Sequence, residues 1–322
     1  MKKLGVAVFG CGRIGSSAHM PSIHALPDEL ELIAVVDPVA ENAQKALDTF
    51  GARRMYTDPD EALRDPEIEA VALCLAHHLY APMAINASRA GKHVLVEKPM
   101  ANTVEEADSM ITAAEHAGVK LMVGQSRRFH GAVMESKRRF SEIGKPLQLI
   151  TNWMGYLPDA KTEWWRSAEQ AGGLLIALQG SHAVDYILWV MDAKPERVYA
   201  DAGHNNPEWE GEDDAVIQMS FAGGAIATVL LSFNAKGLPY ERFIVGSRGC
   251  MYIKGETYLK IGEDVVVEGE EHGANFKGEY REFAAAIREN REPVASGRDV
   301  RKVIVVLEAA RRSIREKQAV NL

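Results

Sequence analysis

Cysteine is scarce: three in 322 residues. Cys11, Cys74 and Cys250 form neither a CxxC pair nor a metal-ligand spacing. Cys11 and Cys74 fall in segments that read as a first turn and a buried strand, so they are expected to act as small apolar fillers in a reducing cytoplasm. Basic charge is also short. Lys and Arg number 37 against 45 Asp and Glu, a formal charge of −8, which gives no footing for nucleic acid or an anionic membrane. The pairs Arg127-Arg128 and Arg311-Arg312 are interleaved with acids and read as solvated helix faces. Long apolar runs are absent from this reading too: Met1-Lys2-Lys3 could open a signal peptide, but a glycine loop interrupts the run that follows, and no later segment is expected to approach a membrane span. No internal repeat or low-complexity linker occurs. The length suits two domains, and 47% apolar residues is ample for two cores.

What is present begins at the first strand, Leu4-Gly5-Val6-Ala7-Val8-Phe9, followed directly by Gly10-Cys11-Gly12-Arg13-Ile14-Gly15 and a segment able to continue as a helix. In such a fingerprint Gly10 permits the tight turn, Gly12 lets backbone approach a pyrophosphate, and Gly15 allows helix to pack on strand. The loop, with Arg13 and Ile14, then offers unpaired N–H groups to phosphates. The next strand, Leu32 to Val36, ends in Asp37, about twenty residues beyond the last glycine, as a dinucleotide fold requires. A carboxylate there bonds an adenosine ribose and repels a 2′-phosphate, which favours NAD over NADP; Arg13 is the one side chain that argues the other way.

Strand and helix then alternate: a helix through Glu41 to Leu47, the strand Ala70 to Leu75, a helix from about Pro82 to Ala90, the strand His93 to Val96, a capped helix after Asn102/Thr103, and Val119 to Val123. This order implies a doubly wound parallel sheet over residues 1–124. After Gly124 the pattern changes. Helix around Val133 to Phe140, the strand Leu147 to Trp153 and a long helical segment after Gly172-Gly173 precede a strand-rich stretch from Arg197 to about Gly269. Helices from about Phe276 to Asn290 and Arg298 to Lys317 close the chain. Residues 125–322 therefore read as an α+β domain with a large, mostly antiparallel open sheet.

The tetrapeptide Val96-Glu97-Lys98-Pro99 sits where a parallel strand ends. Ligands bind outside the carboxyl ends of strands in such sheets, and a flexible ammonium at Lys98 can act on a substrate oxygen.

Together these elements resemble the glucose-fructose oxidoreductase, inositol dehydrogenase and MocA family of nicotinamide-dependent enzymes. The likeness is carried by the fingerprint, Asp37, Ala90 through Pro99, Arg128-Phe129, Gly172-Gly173, Gly180-Ser181-His182-Ala183-Val184-Asp185 and Pro293 through Gly297. It implies a Rossmann domain, a second α/β domain whose open sheet makes oligomer contacts in a homodimer or homotetramer, and a substrate site between them. By the resemblance Lys98 bonds the reacting hydroxyl and the nicotinamide ribose, Glu97 helps to fix the cofactor, and His182 exchanges the substrate proton. Imidazole suits that task, because hydride loss from a carbinol must be matched by a base active near neutral pH.

Two departures stand out. Relatives usually carry an aspartate four residues before the histidine, where this chain has Leu178; Gln179 next door is an amide and no base, and Asp185, at i+3 from His182, is the nearest carboxylate by spacing. After the third long strand, relatives read Thr-Pro-Asn with a histidine three residues on, whereas this chain has Leu75-Ala76-His77 and Tyr80. His77 should border the cofactor. The adjacent His77 and His78 point different ways with no ligand-spaced carboxylate or cysteine, so no metal is expected.

Substrate selection is expected from Trp153 to Gln170, with Tyr156 and Trp164 offering faces to a ring and Arg166 an anion contact, and from Gln125, Arg127 and His130 past the last strand of the first domain. Gln179 and Asp185 complete that set. The expected activity is hydride transfer between NAD(H) and a secondary hydroxyl or ketone of a sugar, inositol or related polyol. The alternatives are a trans-dihydrodiol or aromatic-acid diol dehydrogenase, and a cofactor-binding regulatory protein in which Leu178 marks lost turnover.

Overall fold

In the computed structural model, which describes residues 2–238 and 240–322, the apolar, β-branched runs form the strands. β1 (Leu4–Phe9), β2 (Leu30–Val36), β3 (Arg54–Tyr56), β4 (Ala70–Leu73), β5 (His93–Glu97) and β6 (Leu121–Gly124) make a parallel sheet of order β3-β2-β1-β4-β5-β6. β1, β4 and β6 are buried along their whole length, as continuous apolar runs between two helix layers should be. The order reverses between β1 and β4, the switch point where such sheets bind ligands. Strand β3 and the Pro59–Leu63 helix were not expected from the sequence; at three residues β3 has no readable alternation. Asp58 caps that helix through the Asp60 N–H.

The chain divides into two compact units, one of residues 1–101, 105–126 and 272–301, the other of residues 102–104, 127–271 and 302–322. The change of pattern at Gly124 lies close to the first switch, but the return of 272–301 to the first unit departs from a simple division into 1–124 and 125–322. Its cause lies in the sheet edge. Val123 N–H donates to the Ala295 carbonyl at 2.8 Å, and Met122 bridges Ser296, so the returning chain covers the open side of β6.

Among the described residues the second unit holds nine strands: β7 (Pro146–Met154), β8 (Pro195–Gly203), β9 (Asp214–Phe221), β10 (Ile226–Ser232), β11 (Glu241–Gly246), β12 (Cys250–Lys254), β13 (Tyr258–Ile261), β14 (Asp264–Glu268) and β15 (Val320–Asn321). Their order is β14-β13-β12-β11-β7-β10-β9-β8-β15, antiparallel except for the parallel pair β7 and β10. One face carries buried Leu149, Ile217, Val229, Ile244 and Ile253 against the Gly131–Arg138 and Ser181–Met191 helices. On the other face Tyr199, Val216, Ile226, Phe243 and Val245 are exposed. The helical stretch Ala168–Met191 is long and apolar enough to cross a membrane by length and composition, contrary to the expectation that no segment approaches a span; 83% of its most apolar window is buried inside the protein.

Candidate active site

Because their strands are parallel, the carboxyl ends of β1, β2, β4, β5 and β6 share one edge of the first sheet, and the expected cofactor residues lie along it. The three fingerprint glycines have separable reasons. Gly10 has φ +100°, and a Cβ there would sit 2.3 Å from the Cys74 carbonyl oxygen. A Cβ on Gly15 would sit 2.2 Å from the Gly10 oxygen. Nothing lies within 4 Å of the place a Gly12 Cβ would take, so the protein itself does not require that glycine. The open cradle fits a pyrophosphate that needs bare backbone. Arg13 is exposed and Ile14 half-buried beside it.

Asp37 is buried at the end of β2. Its Oδ2 accepts from the Cys11 N–H at 3.0 Å, and Oδ1 accepts from Val39 N–H at 3.0 Å and Asn42 Nδ2 at 3.3 Å. The carboxylate thus ties the end of β2 to the glycine loop. Burial first, and then the Asp37 charge, push the Cys11 thiol up to about 12, which leaves it a neutral filler.

His77 lies buried in the single turn after β4, its ring stacked on Tyr80 with centroids 5.8 Å apart. Two stacked rings therefore occupy the turn after β4. Glu97, the last residue of β5, is buried and Lys98 after it half-buried; Glu97 Oε2 accepts from the Lys98 backbone N–H at 3.0 Å, and Oε1 meets His19 Nε2 at 3.1 Å. Gln125 follows β6, also buried.

In the second unit, Glu212 starts the long helical segment by accepting from Leu174 N–H at 3.1 Å and Ile176 N–H at 2.9 Å. A π-helical turn over Ile176–Gly180 holds Leu178 and Gln179, and the Ser181–Met191 helix carries His182 and Asp185. Inserted π turns of this kind recur at functional sites. Leu178 and His182 are both buried.

Arg127 Nη2 donates to Gln179 Oε1 at 3.1 Å, while Arg127 Nε pairs with Glu256 at 3.1 Å. Glu256 also meets Arg242 and His130, and His130 Nδ1 meets Glu270 at 2.5 Å. Burial alone would raise the Glu256 carboxyl, but Arg127, His130 and Arg242 together hold it down at about 2. His130 shifts the other way: burial disfavours its cation, and the two carboxylates outweigh burial and raise its pKa. Glu256 and Glu270 escaped the sequence reading because isolated glutamates in a strand-rich stretch carry no spacing signal.

Four of the expected substrate residues have partners within the protein. Asp185 has both carboxylate oxygens on Arg128, with Nε to Oδ2 at 2.8 Å and Nη2 to Oδ1 at 2.5 Å, both side chains buried. This bidentate pair makes Asp185 first of all the partner of a buried guanidinium. Arg166 is a surface residue whose guanidinium is engaged by Glu208 and lies 3.6 Å from Glu163. Tyr156 is exposed with the Lys236 ammonium 4.1 Å from its ring centroid, and Trp164 stands edge-on to Trp165.

A parallel sheet with an open glycine cradle, a carboxylate at the ribose position and a lysine set by a buried glutamate define an NAD(P)-dependent oxidoreductase acting on CH–OH groups. Comparison with known proteins agrees. Residues 4–125 match the oxidoreductase family with NAD-binding Rossmann fold, and residues 139–252 match the GFO/IDH/MocA C-terminal domain; the chain belongs to the GFO/IDH/MocA family of sugar and inositol oxidoreductases. It is 26% identical to myo-inositol 2-dehydrogenase of Thermotoga maritima, over 98% of each chain. It is 29% identical to 4-carboxy-2-hydroxymuconate-6-semialdehyde dehydrogenase of a Sphingobium species, over 90% of this chain and 92% of that one. Among solved structures, aldose-aldose oxidoreductase of Caulobacter crescentus, complexed with glycerol, superposes with a TM-score of 0.91 at 26% identity, covering 100% of both chains.

Proposed function

We propose that the protein interconverts a secondary hydroxyl and a ketone on a cyclic polyol or sugar, with NAD preferred to NADP. The observation that carries this reading is the bond from the Lys98 N–H to Glu97 Oε2 at the carboxyl end of β5, which fixes the lysine on the edge that also bears the glycine cradle and Asp37. When bound, the dinucleotide supplies the acceptor or donor of the hydride. Lys98 holds the reacting oxygen and stabilises the negative charge that grows on it. His182 takes the hydroxyl proton during oxidation and returns it during reduction. Glu97 borders the nicotinamide end, Gln125 faces the substrate, and His77 lines the cofactor beside β4. Arg127 and Gln179, bonded to each other, set the polar contacts of the substrate. The names of the inositol and aldose relatives support a polyol or sugar.

The test is a titration with NADH followed by fluorescence, then a screen of inositols, aldoses, sugar acids and dihydrodiols for nicotinamide absorbance change. Turnover of a polyol or sugar is the expected result. Turnover of dihydrodiols alone would replace the substrate class, and tight NADH binding with no turnover of any of these would remove the catalytic assignment. The half-apolar face of the second sheet, with Val216, Ile226, Phe243 and Val245 exposed, supports self-association into a homodimer or homotetramer. Light scattering should show a multimer that Phe243→Asp dissociates.

A further inference from the structure

Behind the Glu97–Lys98 step lies a short file of hydrogen bonds that the chemistry so far has not used. Glu97 presents two carboxylate oxygens. Oε2 is taken by the Lys98 N–H. Oε1 lies 3.1 Å from His19 Nε2, and His19 Nδ1 lies 2.9 Å from the Tyr280 hydroxyl. The His19 and Glu97 side chains are only 0% and 5% exposed, and Tyr280 is fully buried. His19 comes from the π-helical turn Gly15–His19 directly behind the phosphate loop. Tyr280 comes from the Ala274–Arg288 helix of the returning segment. Phe276, one turn earlier on that helix, and Tyr280 both meet the imidazole edge-on, with centroids 5.5 and 5.7 Å away. The ring is thus packed edge-on against two aromatic side chains.

The direction of the file follows from the acceptors. A carboxylate needs donors, so Nε2 carries hydrogen toward Glu97. In the tautomer with its one hydrogen there, Nδ1 offers a lone pair to which the Tyr280 hydroxyl can donate. Burial first, and then the Glu97 charge, hold the Tyr80 phenol well above its usual range. Cys74, Glu279 and Tyr280 are raised in the same way, by burial first and then by charges that include Glu97.

We infer that His19 and Tyr280 are positioning residues for the active-site lysine: through Nε2–H they hold the Glu97 carboxylate in the rotamer that fixes the Lys98 backbone. This rests on the assignment of Lys98 to the substrate oxygen. A misplacement of about 1 Å at a reacting group can cost roughly a hundredfold in rate, so loosening the file should lower turnover while the glycine cradle and Asp37 keep most of the grip on the cofactor.

Two measurements on the full-length protein test it. Nitrogen-15 NMR of histidine-labelled protein should show His19 in the Nε2–H form, and Tyr280→Phe should shift that signal; an Nδ1–H form would overturn the file whatever the enzyme does. Kinetically, Tyr280→Phe and His19→Ala should each lower kcat roughly ten- to a hundredfold, with the NADH dissociation constant within about twofold of the original. His19→Gln, whose amide can donate to Glu97 and accept from Tyr280, should recover most of the loss. If Lys98→Met abolishes turnover while Tyr280→Phe and His19→Ala keep full kcat, this inference fails and the role of Lys98 stands. If Lys98→Met also keeps full kcat, the role of Lys98 fails first. Equal damage from His19→Gln and His19→Ala would reduce His19 to packing.

Discussion

Replacing Glu279 by glutamine should stabilise the protein, and by more as the pH rises. Glu279 is completely buried, and among the described residues neither of its carboxyl oxygens has a hydrogen-bond partner. Burial first, and then the charge on Glu97, raise its pKa well above the ordinary 4.5. Its sign follows from the proton count. Below about pH 4.5 both the folded and the unfolded chain hold the proton, and the carboxyl has no pH-dependent cost. Between that pH and the folded pKa the unfolded chain has released its proton while the folded one keeps it, so stability falls as pH rises. The slope is about 1.4 kcal/mol per pH unit for one proton. Above the folded pKa the loss is complete. An amide of the same shape carries no such term, and its unpaired N–H groups replace the unpaired O–H of the neutral acid, so the two proteins should differ little near pH 4.5. Urea unfolding of both at several pH values between about 5 and 8 reads the difference directly. A gap that opens with pH supports the argument. A gap that stays flat, or glutamine that destabilises throughout, would show that Glu279 ionises in the folded protein as it does in the unfolded chain.

Three further outcomes are expected. Calorimetry should find NAD bound at least about tenfold more tightly than NADP, a difference of about 1.4 kcal/mol; Asp37→Ser should narrow that ratio and weaken both cofactors, because the Cys11 and Val39 N–H groups lose their acceptor, and equal wild-type affinities would remove Asp37 as the discriminator. Lys98→Met should fold and bind NAD yet lose roughly two or more orders of magnitude in turnover, and wild-type rates would return Lys98 to the surface. Leu178→Asp places a carboxylate in the helical segment of His182 and should move the plateau of the oxidation rate to higher pH; a profile that stays put would mean that His182 does not handle the proton, as would full activity in His182→Ala.

The parts of the molecule that could be read from sequence are those in which short-range order and function coincide. Leu4 to Phe9 followed by three glycines, and His93 to Val96 followed by Glu97-Lys98, each place a strand, its end and a reactive group within ten or so residues. Strand β3 and strand β15 are too short to show alternation. The parallel pairing of β7 with β10 leaves no local mark, since parallel partners are separated by a long crossover. The contact of His19 with Tyr280 joins residues 261 apart in the chain, and nothing near either one announces the other. Arg166 reads as an anion contact because it sits among aromatics, and Asp185 as the carboxylate nearest to His182 by spacing; their pairing with Glu208 and Arg128 is supplied only by tertiary packing.

The return of residues 272–301 to the first unit bears on how the protein is made. During synthesis the fingerprint, Asp37 and all six strands of the first sheet leave the ribosome more than a hundred residues before the segment that caps β6 and brings Tyr280 to His19. Until then the edge of β6 is open and His19 lacks its hydroxyl partner, so the nascent nucleotide-binding unit carries an unpaired strand edge of the kind that attracts other chains. A gene truncated after Ser126 would yield this unfinished state permanently. The cofactor-binding half therefore cannot be passed to another protein as one continuous cassette: a functional transplant must bring both its opening stretch and the distant returning segment.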